Sequence, residues 1–347
     1  MNKDELYIFR CIELAKNGFG NVAPNPMVGC VIVNNEKIIG EGYHKKYGEP
    51  HAEVNAINSV KDKELLKDST LFVSLEPCSH FGKTPPCSDF VISKKIPKVR
   101  IGCVDSSSKV AGKGIDKLKQ AGIDVKVGIL EKESRELNKR FFTFHEKKRP
   151  YIILKWAQTS DSFIDFERKE NESPHVNWIT GKELKITVHK WRSEEQAIIV
   201  GTNTALKDNP QLNVREWQGN NPLRIVLDEK LILPETLNLL DNSTPTLVFT
   251  ALQKTAKKNI EYISINFKKD ITAQISDKLI ERKIQSLIVE GGKQLLETFI
   301  DNNLWDEARI LIGNKTFIKG LKAPVIDSLP TSTEIVGKDE ILIYKNY

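Results

Sequence analysis

Three side chains in the first part of the chain are of types that hold a metal ion. They are His51 in His51-Ala52-Glu53, Cys78 in Pro77-Cys78, and Cys87, which follows the insert Ser79-His80-Phe81-Gly82-Lys83-Thr84-Pro85-Pro86. One imidazole and two thiolates are ligands of the kind zinc takes, and three of them leave the fourth tetrahedral position for a water, as in a catalytic site. The charges explain why a carboxylate belongs beside them. Two thiolates cancel the charge of Zn²⁺, so the metal acidifies its water less than an all-histidine site does, where the bound-water pKa falls to about 7. Glu53 would take that proton, pass it to the substrate and later to the leaving group, the work of one general acid/base.

The order of these residues resembles the signature of the zinc-dependent nucleobase and nucleoside deaminases, H-x-E followed by P-C-x-x-C, in which the glutamate is not a ligand. Here eight residues separate the two cysteines instead of two. The longer form, PC-S-H-F-G-K-T-PPC, resembles the deaminase half of the bifunctional riboflavin-biosynthesis deaminase/reductases. That resemblance implies one Zn²⁺ per chain on His51, Cys78 and Cys87, with Glu53 as the catalytic residue. His80 and Lys83, between the two cysteine ligands, put a donor and a cation beside the pocket, suited to the ribose-phosphate of a free nucleotide-like substrate. Asn25, in Pro24-Asn25-Pro26, matches an asparagine that adds a side-chain amide to the base or ribose in that family.

Four segments of the second half resemble the reductase half of the same family, a dihydrofolate-reductase-like fold that uses NADPH. The first two are Lys155-Trp156-Ala157-Gln158-Thr159-Ser160-Asp161 and Trp178-Ile179-Thr180. The third runs from Arg192 through Val200-Gly201-Thr202-Asn203-Thr204 to Asp208-Asn209-Pro210-Gln211-Leu212-Asn213-Val214-Arg215, and the fourth is Val289-Glu290-Gly291-Gly292. By resemblance Lys155, Arg192, Leu212, Arg215 and Glu290 contact the substrate, with the two arginines on its phosphate, a use that suits the bidentate guanidinium fork. Ala157, Trp178, Thr204 and Asp208, with Gly292, Lys293, Gln294, Leu295, Leu296, Glu297 and Thr298, fall where the family binds NADPH.

Residues 287–292 themselves give a reason for the last group. A strand that runs through a glycine turn into a helix N-terminus presents backbone N–H groups to a diphosphate. The full G-x-G-x-x-G is missing, which disfavours a Rossmann domain. The chain also departs from the family. Ser162 stands where a glycine usually follows the aspartate, residues 163–177 read as a long polar loop, and Val176 occupies a position where a hydroxyl residue usually contacts substrate.

The elements that must position these residues follow from periodicity. Leu6, Phe9, Ile12 and Ala15 predict a helix over residues 4–16, stopped by Asn17-Gly18. Strands are predicted over 28–33 and 37–43, then a helix over 51–60 with His51 and Glu53 in its first turn. Residues two apart do not share a helix face, so the pair can converge only because the chain is still entering the helix there. A strand at 70–75 leads into Glu76-Pro77-Cys78, which is predicted to begin another helix whose dipole lowers the thiol pKa. Strands at 98–104 and 123–129, with a helix around 115–121, complete an alternation that argues for a three-layer α/β/α sheet, cytidine-deaminase-like by the resemblance. Residues 131–147 read as one charged helix broken by Pro150. The boundary is placed there: a zinc-dependent pyrimidine deaminase domain over residues 1–147 and an NADPH-dependent reductase domain over residues 150–347.

With 347 residues, 39% hydrophobic and 28% charged, the chain reads as globular. No signal layout opens it and no apolar run approaches the ~20 residues that span a bilayer, so a soluble, cytoplasmic protein without a membrane partner is expected. Five cysteines without the spacing of a disulfide framework fit a reducing compartment. Cys11, Cys30 and Cys103 fall in apolar segments and are expected in the core. The net charge of +6 is too weak to argue for nucleic acid.

The resemblance implies that the first domain deaminates 2,5-diamino-6-ribosylamino-4(3H)-pyrimidinone 5′-phosphate and the second reduces the ribosyl chain of the product to give 5-amino-6-(5-phosphoribitylamino)uracil. A homo-oligomer, dimer or tetramer, is expected of this fold. The alternatives are a zinc deaminase acting on a nucleotide or nucleic acid with a degenerate second domain, and a binding protein with a structural zinc, which would fill the fourth ligand position and have no use for Glu53.

Overall fold

The computed structural model describes residues 1–79, 81, 85–107, 110–169 and 172–346. The chain divides into two compact units, Met1–Lys148 and Arg149–Tyr347. In the first, the elements are α1 (Lys3–Lys16), β1 (Gly29–Asn34), β2 (Lys37–Tyr43), α2 (Ala52–Ser59), β3 (Thr70–Leu75), α3 (Cys87–Ser93), β4 (Lys98–Cys103), α4 (Lys113–Gln120), β5 (Asp124–Val127), α5 (Glu131–Leu137) and α6 (Lys139–Lys147).

Among the described residues the strands of the first unit form one sheet in the order β2-β1-β3-β4-β5, antiparallel through β1 and parallel from β3 to β5. Strand residues alternate between two covered faces, as a buried sheet requires. Cys30, Ile32, Leu71 and Val73 meet Ala52, Ala56 and Ile57 of α2, Val91 of α3 and Leu118 of α4. Val31, Val33 and Phe72 meet Ile8, Cys11 and Ile12 of α1 on the other side. Three layers result, and Cys11, Cys30 and Cys103 are fully buried. Asn2 caps α1: its side chain accepts the Glu5 N–H at 3.0 Å while Glu5 takes the Asn2 N–H at 2.8 Å, a reciprocal box that satisfies two otherwise orphaned donors.

The second unit contains β6 (Tyr151–Thr159), β7 (Phe163–Phe166), α7 (Lys182–Glu194), β8 (Ala197–Val200), α8 (Thr202–Asp208), β9 (Leu223–Leu227), β10 (Thr246–Thr250), β11 (Ile260–Ser264), α9 (Ile271–Glu281), β12 (Ser286–Glu290), α10 (Lys293–Asp301), β13 (Glu307–Gly313), β14 (Gly320–Lys322), β15 (Ser332–Val336) and β16 (Asp339–Lys345). Its main sheet runs β11-β10-β9-β8-β12-β6-β13-β16-β15, parallel from β11 to β13 and antiparallel at β16 and β15. One face packs Ile152, Leu154, Ile199 and Val289 on α9 and α10. The other packs Ile198, Val200, Val226 and Ile288 against Ala205, Leu212 and the leucines near Leu239. Ligands of such sheets lie at the carboxyl ends of the parallel strands.

Three expectations are corrected. No helix begins at Cys78: residues 76–79 are irregular, and α3 begins only at Cys87 after Pro86. Pro77, Pro85 and Pro86 oppose an earlier start, because each removes an N–H and disfavours helical backbone at the residue before it. The single helix read over 131–147 is two, because the Asn138 side chain leaves the helical path to bond Met27 N and Met27 O at 2.8 Å each. The stretch after Ser162 is not all loop, since β7 pairs with β14.

Candidate active sites

The metal-type donors come from three separate stretches of the first unit. His51 is the extended residue capping α2 (φ −74°, ψ 170°). Cys78 follows β3, and Cys87 is the first residue of α3. One donor atom from each lies within 4.8 Å of the others, with His51 Nδ1 at 3.3 Å from Cys87 Sγ and 3.6 Å from Cys78 Sγ. The Cys87 N–H also points at Cys78 Sγ at 3.3 Å, the kind of donor that favours a thiolate. One imidazole and two sulfurs converging at this spacing fit Zn²⁺.

Glu53 lies in the first turn of α2 and is 3% exposed. Burial pushes its carboxyl up to about 7, with the His51 charge opposing. The close seating of α2 depends on Gly42, where a Cβ would fall 2.3 Å from Ala56 N; any side chain would lift the helix, and with it His51 and Glu53, off β2. Asn25 is half-buried and joined to the site through His44, to which it stands at 3.2 Å. The His44 ring meets the His51 ring edge-on, centroids 5.1 Å apart, and burial lowers its pKa. His80 and Lys83 lie outside the described residues.

Sequence reasoning missed His44 and Glu76. Glu76 is 4% exposed and accepts the N–H groups of Asp105 at 3.2 Å, Gly112 at 3.0 Å, Gly114 at 2.9 Å and Ile115 at 3.3 Å. It thereby fastens the backbone ahead of Cys78 to the start of α4. Its signal in the sequence was adjacency to Pro77-Cys78; His44 had none.

In the second unit a cavity of about 840 Å³ opens at the carboxyl ends of β6, β8, β9 and β12, within the size range of small-molecule pockets, about 300–1,000 Å³. It is lined by Lys155, Ala157, Trp178, Arg192, Thr204, Asp208, Leu212, Arg215, Glu290 and, from the turn into α10, Gly292, Lys293, Gln294, Leu295, Glu297 and Thr298. Leu296 is the exception among the predicted residues. It is fully buried in the core beneath α10, and its N–H is spent on the Gly292 carbonyl, because one residue along a helix turns the side chain by about 100°. Val176 does line the cavity.

Glu290 is the centre of the polar end. It accepts from Lys155 Nζ at 2.9 Å and from Arg192 at 2.8, 3.0 and 3.1 Å. Burial opposes its charge, yet the Arg192 and Lys155 cations hold its carboxyl well below the usual carboxylate range. Arg215 donates to Asn213 Oδ1 at 2.9 Å; burial and the nearby Arg192 charge lower its pKa, so it is a cation that gains from an arriving anion. His189, a further residue the sequence reading passed over, accepts the Arg215 backbone N–H at 3.2 Å. Burial and the Arg192 and Arg215 charges bring its pKa down to about 4, which leaves it neutral. Its spacing of three from Arg192 was the available signal.

The turn between β12 and α10 has Gly291 at φ +89° and Gly292 at φ +75°; both glycines line the cavity, and a Cβ at Gly292 would meet Thr204 Oγ1 at 3.0 Å. This cradle fits the diphosphate of a dinucleotide. Asp208 is taken up by Arg168 at 2.6 Å, a partner from the stretch read as loop.

Comparison with known proteins finds a different family model in each half of the chain. Residues 1–103 match the cytidine and deoxycytidylate deaminase zinc-binding region, and residues 150–328 match the RibD C-terminal domain. The riboflavin biosynthesis protein RibD of Aquifex aeolicus is 38% identical, over 99% of each chain. The chain belongs to the RibD family. The RibD of Bacillus amyloliquefaciens is 39% identical over 89% of this chain and 85% of its own. A crystal structure from Thermotoga maritima, a diaminohydroxyphosphoribosylaminopyrimidine deaminase/5-amino-6-(5-phosphoribosylamino)uracil reductase, has a TM-score of 0.88 at 36% identity and covers 99% of both chains. As a RibD protein the chain is a bifunctional enzyme of riboflavin biosynthesis: a zinc-dependent deaminase of cytidine-deaminase-like fold, followed by an NADPH-dependent reductase of dihydrofolate-reductase-like fold. The second domain is a reductase, not a degenerate appendage. No described helix is long and apolar enough to cross a membrane.

Proposed function

We propose that residues 1–147 remove the exocyclic 2-amino group of 2,5-diamino-6-ribosylamino-4(3H)-pyrimidinone 5′-phosphate, and that residues 150–347 reduce the ribosyl chain of the product to give 5-amino-6-(5-phosphoribitylamino)uracil. The observation that carries this reading is the presence, in one chain, of the His51–Cys78–Cys87 donors beside buried Glu53 and of a separate cavity where Lys155, Arg192 and Arg215 gather near Glu290. The naming of the Thermotoga maritima relative for both activities supports it.

His51, Cys78 and Cys87 hold Zn²⁺, which when bound supplies an acidified water. Glu53 takes one proton from the attacking water and gives it to a ring nitrogen. It then takes the remaining proton of the added hydroxyl and gives it to the amino group, which leaves as ammonia while the C–N bond breaks and the carbonyl forms; one carboxyl serves as base and acid in turn. Asn25 holds the base or ribose, and His80 and Lys83 are assigned to the ribose-phosphate. In the second site Arg215 receives the phosphate with the Arg192 charge behind it, while Lys155, Leu212 and Glu290 meet the ribosyl chain. Ala157, Trp178, Thr204, Asp208 and the turn at residues 292–298 hold NADPH, which supplies the hydride. The setting is cytoplasmic, and the working form is a homo-oligomer, dimer or tetramer; the exposed apolar side chains of Ile318, Val325 and Leu329 favour burial against a second copy.

The test reads ammonia release and NADPH oxidation separately on the full chain. Glu53→Gln should keep zinc and lose ammonia release by about 10²–10⁴-fold, while NADPH oxidation on pre-deaminated substrate persists. Arg215→Ala should do the reverse, losing roughly ten- to a hundredfold in kcat/KM with the phosphorylated substrate. Equal turnover of phosphorylated and dephosphorylated pyrimidines would overturn the reading.

A further inference from the structure

Asn25 is not free to choose which end of its amide it offers. Its Nδ2 stands 3.2 Å from His44 Nε2, and the other ring nitrogen, His44 Nδ1, stands 3.2 Å from the Pro50 carbonyl oxygen. A carbonyl oxygen can only accept, so the ring proton sits on Nδ1. The ring is 2% exposed, and no carboxylate is hydrogen-bonded to it among the described residues. A second ring proton would leave an unpaired buried charge. Nε2 is therefore a bare acceptor, and only the N–H end of the Asn25 amide can face it. With the amide reversed, two acceptors would oppose each other at 3.2 Å with no proton between them. Among the described residues Asn25 Oδ1 has no hydrogen-bond partner, and Asn25 is half-buried next to His44, whose ring meets that of His51.

We infer that His44 is a positioning residue of the deaminase: it locks the Asn25 amide with its carbonyl oxygen presented to the ligand, so the site selects for a hydroxyl or N–H donor at that point. The surroundings fix His44 in turn. Its backbone N–H goes to the Val28 carbonyl at 2.9 Å. The Pro50 carbonyl that sets the tautomer also accepts from Asn55 Nδ2 at 3.2 Å, and it belongs to the peptide joining Pro50 to His51. The orientation of the Asn25 amide and the placement of a metal ligand thus depend on one backbone segment.

The inference rests on the assignment of Asn25 to the substrate, and the experiment separates the two. In the zinc-loaded full chain, ammonia release from the phosphorylated pyrimidine is measured for Asn25→Ala, His44→Phe, their double variant and His44→Gln. A single hydrogen bond predicts a rise in KM of about three- to tenfold in each of the first two, with zinc retained. Because His44 acts through Asn25, the double variant should be no worse than Asn25→Ala. His44→Gln, whose amide oxygen can accept in place of Nε2, should recover most of the loss. An unchanged KM in Asn25→Ala removes the substrate assignment and the inference with it. An impaired Asn25→Ala beside an unimpaired His44→Phe, or losses that multiply in the double variant, overturns the inference alone. Long-range proton–nitrogen NMR of the unsubstituted holoprotein provides a measurement independent of variant folding: the Nδ1–H tautomer at His44 is expected, and an Nε2–H or doubly protonated ring overturns the inference.

Discussion

Replacing Glu290 with glutamine tests the polar centre of the reductase site at its most exposed assumption, that two cations are held by one carboxylate away from water. Lys155 and Arg192 side chains are each 11% exposed and that of Glu290 is 14%. The amide keeps the shape and one acceptor oxygen but no charge, so both cations remain buried with no counterion. Removing one partner of a buried ion pair costs about 3–5 kcal/mol, far more than the net worth of the pair itself. For a domain of this size each kcal/mol moves the melting point by about 2–4 °C, so the second unit should melt roughly 6–20 °C lower. Tryptophan fluorescence isolates that unit, because all five tryptophans, Trp156, Trp178, Trp191, Trp217 and Trp305, lie in it. Acidity gives a second check. The folded pKa of Glu290 lies below its ordinary value of 4.5, so its contribution is fully present above that value and is lost only as pH falls through the lower, folded one. Between pH 7 and 5 the gap between the unsubstituted and substituted proteins should stay constant. A variant that melts within ~2 °C of the unsubstituted protein would correspond to under about 1 kcal/mol and would refute the buried triad.

Two further outcomes are expected. Glu76→Gln should weaken zinc retention against a competing chelator by about 10–100-fold, as loss of a group that orients a ligand commonly does, and unchanged zinc affinity would show that the Cys78 backbone needs no anchor. Ser162→Gly should stabilise the second unit by about 0.5–1 kcal/mol, because Ser162 has φ +66°, a region that costs a side chain about 1–2 kcal/mol and glycine only its greater unfolded-state entropy. The two backbone bonds at the turn, Ser162 N–H to Thr159 and Ala323 N–H to Ser162, survive the change, so a lower denaturation midpoint would mean that the serine hydroxyl holds the turn.

The sequence by itself determined the donor set, since few residue types bind zinc and the chain spaces His51, Glu53, Cys78 and Cys87 in a pattern with little other use. It also determined most strands and helices, whose apolar periods are local. It did not determine how Cys78 is presented: the strand-to-helix reading ignored that prolines cannot join a helix interior, and the helix starts nine residues later, at Cys87. Nor could it reveal His44, whose partners are Asn25 and Pro50, or the joining of Glu290 to Lys155 and Arg192. Lys155 and Glu290 are neighbours only because β6 and β12 pair in register, 135 residues apart in the chain, and Arg192 reaches them from α7. Such contacts depend on strand order and on which helix covers which end of the sheet, and these are decided by burial of the whole apolar surface at once, not by any local period.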